Sequence, residues 1–125
     1  MKWNGFAAVC RAIGVPKVVE VNAFDVKAVD RAIADGTAHD GLSVIVSKGD
    51  CIFISRSPQP PYSVDTDTCV ACGKCIQAGC PGNVLSETIH VKTGKRKSRI
   101  DPILCIGCDV CRQICPTGAI RKPAA

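Results

Sequence analysis

Eight of the ten cysteines in this 125-residue chain form two copies of one pattern. The first copy, CVACGKCIQAGCP, begins at Cys69, and the second, CIGCDVCRQICP, begins at Cys105. In each copy two residues separate successive members of a cysteine triplet, and a fourth cysteine followed by proline comes next. Four residues separate the third cysteine from the fourth in the first copy, and three residues separate them in the second. The fold of this part of the chain must therefore accommodate eight thiols at fixed spacings.

Cysteines this dense serve disulfides, zinc sites or iron–sulfur clusters, and their spacing discriminates between the three. Disulfide frameworks are typical of exported proteins, whereas Met1 and Lys2 are not followed by the apolar segment of a signal peptide. Zinc sites usually combine two Cys-x2-Cys pairs across a longer loop. A triplet instead places three sulfurs around one small volume, which suits three corners of an iron–sulfur cube. The pattern favours two [4Fe–4S] clusters in a cytoplasmic protein, with disulfides and zinc as the weaker alternatives.

The chain carries a formal net charge of +5, and the excess of basic residues lies in its cysteine-rich half. Lys92, Lys95, Arg96, Lys97 and Arg99 are close together there, a composition that can indicate nucleic-acid binding. Each [4Fe–4S] cluster with its thiolates brings a formal charge of roughly −2, so two clusters offset most of this excess. Aromatic residues, on which bases stack, make up 4% of the chain. We therefore expect no nucleic-acid partner, and no membrane partner because no apolar run is long enough to span a bilayer.

A proline-bearing stretch, Ser55–Ser63, divides the chain, because its three prolines cannot continue a helix or a central strand. We expect a linker here, with one domain over residues 1–57 and another over residues 58–125. Hydrophobic periodicity in the first domain predicts alternating helices and strands. In chain order these are a helix over Trp3–Ile13, a strand over Val18–Val21, a helix capped by Asp25, a strand over Leu42–Val46, and Cys51–Ile54 continuing or following that strand.

This order of elements predicts a βαβ crossover in a parallel sheet. Two helices cannot cover both faces of apolar strands within 57 residues. We therefore expect this segment to be the end of a larger α/β domain, or to dock onto one. In the second domain, Thr88–Val91 and Ser98–Asp101 predict a hairpin around Thr93-Gly94. The fold class is α+β, with a partial α/β segment before a cysteine-rich domain.

Several further residues have predicted roles around the cysteines. Gly73 and Gly107 lie within or beside the triplets, where glycine lets the backbone approach a cluster closely. Cys10 and Cys51 lie outside the pattern and are expected to be buried free thiols, and His39 and His90 to be surface residues rather than ligands. Apolar side chains expected to shield the clusters are Val70, Ile76, Val84, Ile106, Val110, Ile114 and Ile120.

The repeated Cys-x2-Cys-x2-Cys motif followed by Cys-Pro resembles that of the bacterial-type two-cluster ferredoxins. In that family the fourth cysteine of each copy binds the cluster of the other copy. The resemblance implies a ferredoxin-like domain over residues 58–125 and assigns the eight cysteines to two ligand sets. The first cluster takes Cys69, Cys72, Cys75 and Cys115, and the second takes Cys80, Cys105, Cys108 and Cys111.

Nearly the whole chain is similar to the C-terminal end of the large subunit of indolepyruvate:ferredoxin oxidoreductases. The residues that carry this resemblance are VVEVNAFDVK from Val18, GLSVIVSKGDC from Gly41, the proline-bearing linker, and Gly79-Cys80-Pro81 with its four-residue spacing. The resemblance implies that residues 1–57 are the remnant of a thiamine-diphosphate-binding domain. It also implies that the clusters relay electrons from a thiamine diphosphate site to an external ferredoxin, after an aryl pyruvate is decarboxylated and its acyl group passes to coenzyme A.

One departure from that family limits what this chain does by itself. The thiamine diphosphate site of the family uses a Gly-Asp-Gly motif with magnesium, but here Gly49-Asp50 is followed by Cys51. Thiamine diphosphate and magnesium are therefore expected in the remainder of the enzyme or in a partner subunit, and no catalytic residue is assigned here. A free-standing low-potential ferredoxin is the alternative function, and a structural or nucleic-acid-binding iron–sulfur protein is a further one.

Overall fold

The computed structural model describes residues 5–51, 54 and 59–123, and the chain divides into two compact units, Met1–Cys51 and Ile52–Ala125. The predicted domain boundary after residue 57 and residues 55–58 of the predicted linker lie outside the described residues. The last residue of the predicted linker, Ser63, begins a strand, so the prediction is wrong at the C-terminal end of the linker. Tyr62, which directly precedes Ser63, is buried. The chain is therefore packed within the second unit one residue before β3, in the stretch whose prolines predicted a linker.

The first unit contains two helices and two strands. In chain order they are α1 (Gly5–Ala12), β1 (Lys17–Asn22), α2 (Val26–Thr37) and β2 (Ser43–Lys48). After α1 the chain leaves the helical conformation at Gly14, whose φ is 89°, and Pro16 follows. Asp25 caps α2 as predicted, because its carboxylate accepts a hydrogen bond of 3.0 Å from the Ala28 N–H. β2 begins one residue after the predicted Leu42 and extends past Val46.

The strands β1 and β2 pair in parallel, from Lys17 opposite Ser43 to Asn22 opposite Lys48. Since α2 connects them, the predicted βαβ crossover is confirmed. An ion pair between Glu20 and Lys48 joins the two strands. Among the described residues of this unit, the buried apolar side chains are few and small, namely those of Ala7, Val15 and Ala32. The unit therefore encloses little apolar surface of its own, as its length predicted.

The second unit repeats a strand, a short helix and a strand. The first copy has β3 (Ser63–Val64), α3 (Lys74–Gln77) and β4 (Asn83–Ile89), and the second has β5 (Arg96–Ile100), α4 (Val110–Ile114) and β6 (Ile120–Arg121). β3 pairs with β6 and β4 pairs with β5, both antiparallel. Each sheet therefore takes one strand from each copy, which ties the two copies of the cysteine pattern together.

The predicted hairpin is confirmed, because β4 and β5 are consecutive antiparallel strands and Thr93-Gly94 lies in the turn between them. The first strand ends further from the turn than expected, whereas β5 begins at Arg96, two residues closer to the turn than the predicted Ser98. β4 starts at Asn83 and ends at Ile89, with a register irregularity between Leu85 and Ile89. In the turn, the N–H groups of Thr93 and Gly94 both donate to the His90 carbonyl oxygen.

Cysteines form part of the core of the second unit. The buried cluster consists of Tyr62, Cys75, Ile100, Cys111 and Ile120, with Cys105 and Cys115 packed against it. Free thiols are compatible with such a core because they behave as small apolar groups. Within the described ranges, no helix is long and apolar enough to cross a bilayer.

Candidate metal centre

Four of the predicted ligands line one cavity. Cys69, Cys72 and Cys75 reach it from the first copy, and Cys115 reaches it from the second. Apolar side chains form much of the remaining wall, among them Val64 and Ile120. A thiol-lined cavity with apolar walls can exclude water from a bound sulfur-ligated group, which is one of the factors that set a redox potential. These four residues are the set that the sequence assigned to the first cluster.

The other three cysteines of the predicted second set lie close enough to Cys111 to affect its pKa. Burial is the main cause that raises the pKa of the Cys111 thiol to about 11, and the charges of Cys108, Cys105 and Cys80 contribute in that order. Cys80 belongs to the first copy of the pattern and the other three to the second. This is the composition predicted for the second ligand set. Loss of these protons accompanies any metal binding, because thiolates are the metal-binding form of cysteine.

Hydrogen-bonding groups surround the sulfurs of the first set more densely than those of the second. Cys75 Sγ lies 3.0 Å from Ser98 Oγ, and Cys115 Sγ lies 3.7 Å from Thr117 Oγ1. Burial raises the pKa of Cys115, but bonds from the Thr117 hydroxyl and from the backbone of Thr117, Ala119 and Ile120 outweigh it, and the pKa is lowered. In the second set, the Tyr62 N–H donates to Cys105 Sγ over 3.4 Å.

The two triplets share an unusual backbone conformation. In the first copy Ala71 and Gly73 have φ of 54° and 76°, and in the second Gly107 and Asp109 have φ of 68° and 71°. Ala71 corresponds to Gly107 and Gly73 to Asp109, so each copy turns left-handed on both sides of its second cysteine. Residues other than glycine rarely adopt this region. The sequence pointed to the glycines but not to Ala71 and Asp109, whose side chains give no such signal.

Asp109 is the centre of a polar network that sequence reasoning missed. Its Oδ1 accepts hydrogen bonds of 2.5 Å from the Tyr62 hydroxyl and 2.5 Å from Arg112 Nε, and its Oδ2 accepts one of 2.7 Å from Arg112 Nη2. The bonds from Arg112, followed by the bond from Tyr62, lower the pKa of Asp109 to about 2 against the opposing effect of burial. Burial and the adjacent carboxylate raise the pKa of Tyr62. The network anchors the segment before β3 to the second copy.

The segment Gln59–Tyr62 covers the second copy closely. A Cβ placed on Gly107 would lie 2.5 Å from Gln59 Cβ and 3.0 Å from the Pro60 carbonyl oxygen. At Gly73 in the first copy, an added Cβ would meet no atom within 4 Å. Gly73 corresponds to Asp109, however, and Ala71, the counterpart of Gly107, is itself buried. The two triplets differ instead at their second cysteine, since Cys72 is exposed and Cys108 is half-buried.

The unequal spacing of the fourth cysteines is offset further along the chain. Two residues separate Cys80 from the start of β4, whereas four separate Cys115 from the start of β6. Seven residues therefore lie between Cys75 and β4, and eight between Cys111 and β6. The Asp101 N–H bonds to the Gly82 carbonyl, and the Asp65 N–H to the Ala119 carbonyl, so both strands start from equivalent contacts.

The two cysteines outside the repeat and His90 are not among the residues that line the thiol cavity. Cys10 is half-buried, and Cys51 is exposed, so the prediction that both are buried thiols is wrong for Cys51, which lies beyond the end of β2. His90 Nδ1 lies 3.0 Å from Thr93 Oγ1 within the hairpin turn. Val70 and Ile106 are partly exposed, whereas Ile120 is buried as predicted. In the part of the chain that the structure describes, no three His, Cys, Asp or Glu side chains are placed to share a single metal ion.

The cysteine-rich part of the chain matches a known family model. Residues 68–119 match the model described as a 4Fe-4S dicluster domain. The match begins one residue before Cys69 and includes all eight cysteines of the repeat. This chain carries a 4Fe-4S dicluster domain. The predicted ferredoxin-type domain is therefore confirmed, within a small mixed α/β protein.

Relatives match far beyond the dicluster domain. The chain is 35% identical over 122 residues to the indolepyruvate oxidoreductase subunit IorA of Pyrococcus horikoshii, covering 91% of this chain and 18% of the relative. The IorA subunit of Methanothermobacter thermautotrophicus is 35% identical over 115 residues, and that of Pyrococcus abyssi is 32% identical over 122 residues. The chain is therefore homologous to the C-terminal part of IorA, and it spans about 18% of the length of these relatives.

We predict that replacing Gly107 with alanine loosens the segment that covers the second copy. Gly107→Ala puts a methyl group into Gln59, whereas Gly118→Ala, at a φ of 67° with open space, incurs the backbone strain without the clash. That strain is roughly 1–2 kcal/mol for either variant. Chymotrypsin should cleave after Tyr62 faster in Gly107→Ala than in Gly118→Ala. Equal cleavage rates would show that Gln59 does not pack against this position.

A second prediction concerns Tyr62, the sole tyrosine of the chain. Its phenolate absorbance should appear above pH 10.0 because burial and Asp109 raise its pKa. A folded pKa above the unfolded one stabilises the fold below about pH 10, and this contribution is lost as the pH rises through the folded value. Asp109→Asn should lower the titration midpoint while leaving it above 10.0, since burial remains. Asp101→Asn is the control and should not move it.

Proposed function

We propose that the dicluster domain binds two [4Fe–4S] clusters through crossed ligand sets. Cys69, Cys72, Cys75 and Cys115 hold the first cluster, and Cys80, Cys105, Cys108 and Cys111 hold the second. The cavity lined by the first four cysteines supports the first set, and the electrostatic coupling of Cys111 to the other three supports the second. In both sets three sulfurs come from one copy and one from the other, which is the arrangement that the ferredoxin pattern implies.

The residues around the sulfurs fit such clusters chemically. Iron–sulfur clusters supply one-electron transfer at a potential set by burial and by hydrogen bonds to sulfur. Around the first set, Thr117 and the backbone after Cys115 provide donors, and the Ser98 hydroxyl, which accepts from the Cys75 thiol, can donate once that sulfur is a thiolate. At the second set the donors are the N–H groups of Tyr62 and Arg112. Because donors near a thiolate favour the more negatively charged state, this distribution gives the first site the higher potential. Electrons then pass from the second site to the first.

We further propose that this module serves a 2-oxoacid oxidoreductase of the indolepyruvate type. The homology to IorA, which continues through the first unit as well as the dicluster domain, is the observation that carries this function. In this role the chain relays electrons from a thiamine diphosphate site elsewhere in the enzyme to an external ferredoxin. It contributes no catalytic residue of its own.

The first unit supports the view that a larger domain surrounds it. Val9 and Ile13 lie at helical spacing along α1 and its end, yet they are 58% and 75% exposed. Leu42, next to β2, is also exposed. Apolar stripes of this kind are normally buried against a neighbouring layer. We propose that the missing layer belongs to the thiamine-diphosphate-binding domain of which residues 1–57 are the remnant.

The decisive experiment is to purify the tagged chain with its native assembly and to measure three components together. We expect about eight iron and eight sulfide per copy of this chain, because two [4Fe–4S] clusters require them, and thiamine diphosphate in a co-purifying polypeptide. A monomer with full iron and no thiamine partner would indicate a free-standing ferredoxin instead. An iron content of about four per chain would contradict the two-cluster assignment.

Cysteine variants test the ligand sets. Cys72→Ser and Cys108→Ser should each lose about half of the iron, since each removes one ligand from a different cluster. Cys51→Ala and Cys10→Ala remove thiols outside the dicluster domain and should leave the iron content unchanged. Cys115→Ser distinguishes the crossed arrangement from an uncrossed one, because its spectroscopic effect should match that of Cys72→Ser rather than that of Cys108→Ser.

A serine variant tests how hydrogen bonding sets the potential. Ser98→Ala removes the hydroxyl 3.0 Å from Cys75 Sγ and should lower the reduction potential of the first cluster without changing that of the second. Ser86→Ala is a matched control, because Ser86 is buried in the facing strand but bonds to Thr88. Redox titration followed by electron paramagnetic resonance measures the reduction potentials of both clusters in each variant. Identical shifts in the two variants would attribute the effect to general packing.

A further inference from the structure

An open groove lies between the first triplet and the hairpin of β4 and β5. Ile76 and Leu85 contribute apolar surface to it, Cys72 lies on its floor, and Lys95 and Arg96 line its side. Cys72 and Leu85 are both exposed to solvent. An exposed cysteine beside apolar and cationic side chains is an unusual combination on a protein surface, since apolar surface patches often mark interaction sites.

Cys72 connects this groove to the thiol-lined cavity. It lines both, whereas Cys69, Cys75 and Cys115 line the cavity alone. The groove therefore adjoins the thiol-lined cavity at Cys72, which is itself a member of the first ligand set. Electron transfer weakens steeply with distance, so a partner in this groove is better placed to react than one elsewhere on the first copy.

In the second copy, the preceding segment of the chain lies against the backbone of the triplet. There the segment Gln59–Tyr62 packs on Gly107, donates a hydrogen bond to Cys105 and binds Asp109 through the Tyr62 hydroxyl. In the first copy the matching positions, Ala71 and Gly73, line the groove instead. The first triplet therefore lines an open groove at these positions, whereas the second has the preceding segment of the chain against it.

The charge around the groove favours an acidic partner. Residues 87–99 contain five basic side chains and one acidic side chain, Glu87. Glu87 pairs with Arg96, and Arg96 Nε also donates to the Ser86 carbonyl, so this arginine has a structural task. The Lys95 ammonium group lies beside it, exposed at the side of the groove. Lys95 therefore provides net positive charge directly next to the apolar floor.

We infer that this groove is the docking site of an acidic iron–sulfur carrier protein that accepts electrons from the chain. The inference rests on the proposed function, and it identifies the face that the external acceptor uses. Apolar contacts over Leu85 and Ile76 hold the partner, and Lys95 steers its carboxylates toward Cys72. One electron then leaves the chain and reduces the acceptor by one electron, with no proton or group transferred.

Lysine footprinting of the intact enzyme tests the location. The probe is an acidic two-cluster ferredoxin, added before brief acetylation with an N-hydroxysuccinimide ester, and Lys122 serves as an internal reference outside the groove. We expect Lys95 to react in the free enzyme and to be protected by ferredoxin, while Lys122 reacts equally in both. Protection of Lys95 before ferredoxin is added would show that another part of the enzyme occupies the groove, and would overturn the inference.

Charge reversal tests the contribution of Lys95. Lys95→Glu should weaken ferredoxin binding about three- to tenfold at about 0.05 M salt, mainly through a slower association rate, and the difference should shrink at about 0.5 M salt. Lys122→Glu makes the same charge change away from the groove and should stay within about twofold of the wild type. Lys95→Gln should fall between the two, and Arg96 is left intact because it supports the hairpin.

A basic acceptor and the iron content separate the possible failures. Cytochrome c, which is basic, should bind Lys95→Glu more tightly than the wild type. Equal ferredoxin affinity of Lys95→Glu and Lys122→Glu would refute the docking site while leaving the electron-transfer function in place. If the same preparations lack iron, or accept no electron from a low-potential reductant, the proposed function itself fails.

Discussion

The structure of the second unit depends on the pairing of strands from two copies of one cysteine motif. Cys75 and Cys111 are buried in the same core as Tyr62, Ile100 and Ile120. The tyrosine and the two isoleucines do not fill the interior of this unit without the two cysteines. So few buried apolar groups rarely stabilise a small domain on their own, and small domains commonly depend on a metal. Under the proposed binding of two clusters, folding and cofactor binding would be two aspects of one equilibrium in this part of the chain.

The polar environment of the sulfurs adds a second level of organisation to this core. The hydroxyl groups of Ser98 and Thr117 lie near sulfurs of the first set. The Tyr62–Asp109–Arg112 network lies at the second copy, where the Tyr62 N–H also donates to Cys105. A repeat in sequence has thus become unequal in chemistry. The two groups of four cysteines differ in hydrogen bonding and in access, and under the proposed function this difference would give the electron relay a direction.

The cysteine spacing was sufficient to predict the dicluster domain, because metal ligands impose distances that few sequences satisfy by chance. Helix α2 and the parallel pairing of β1 with β2 were predictable as well, from the Asp25 cap and from apolar runs. The role of Asp109 was not, since a left-handed aspartate that binds Tyr62 depends on a contact across 47 positions. The exposure of Cys51 was not predicted either. Cysteine is usually buried, but this one lies beyond the end of β2, and the sequence does not show where that strand ends.

The two loops between the third cysteine and the next strand differ in where their fourth cysteine lies, yet nearly equal numbers of residues span them. Within this chain, the fold thus holds the strand start more tightly than the position of the Cys-Pro pair along the loop. A search pattern that demands three residues before every such pair would overlook the first copy. A pattern that measures from the triplet to the following strand would recover both, and would suit a survey of genomes for divergent members of this class.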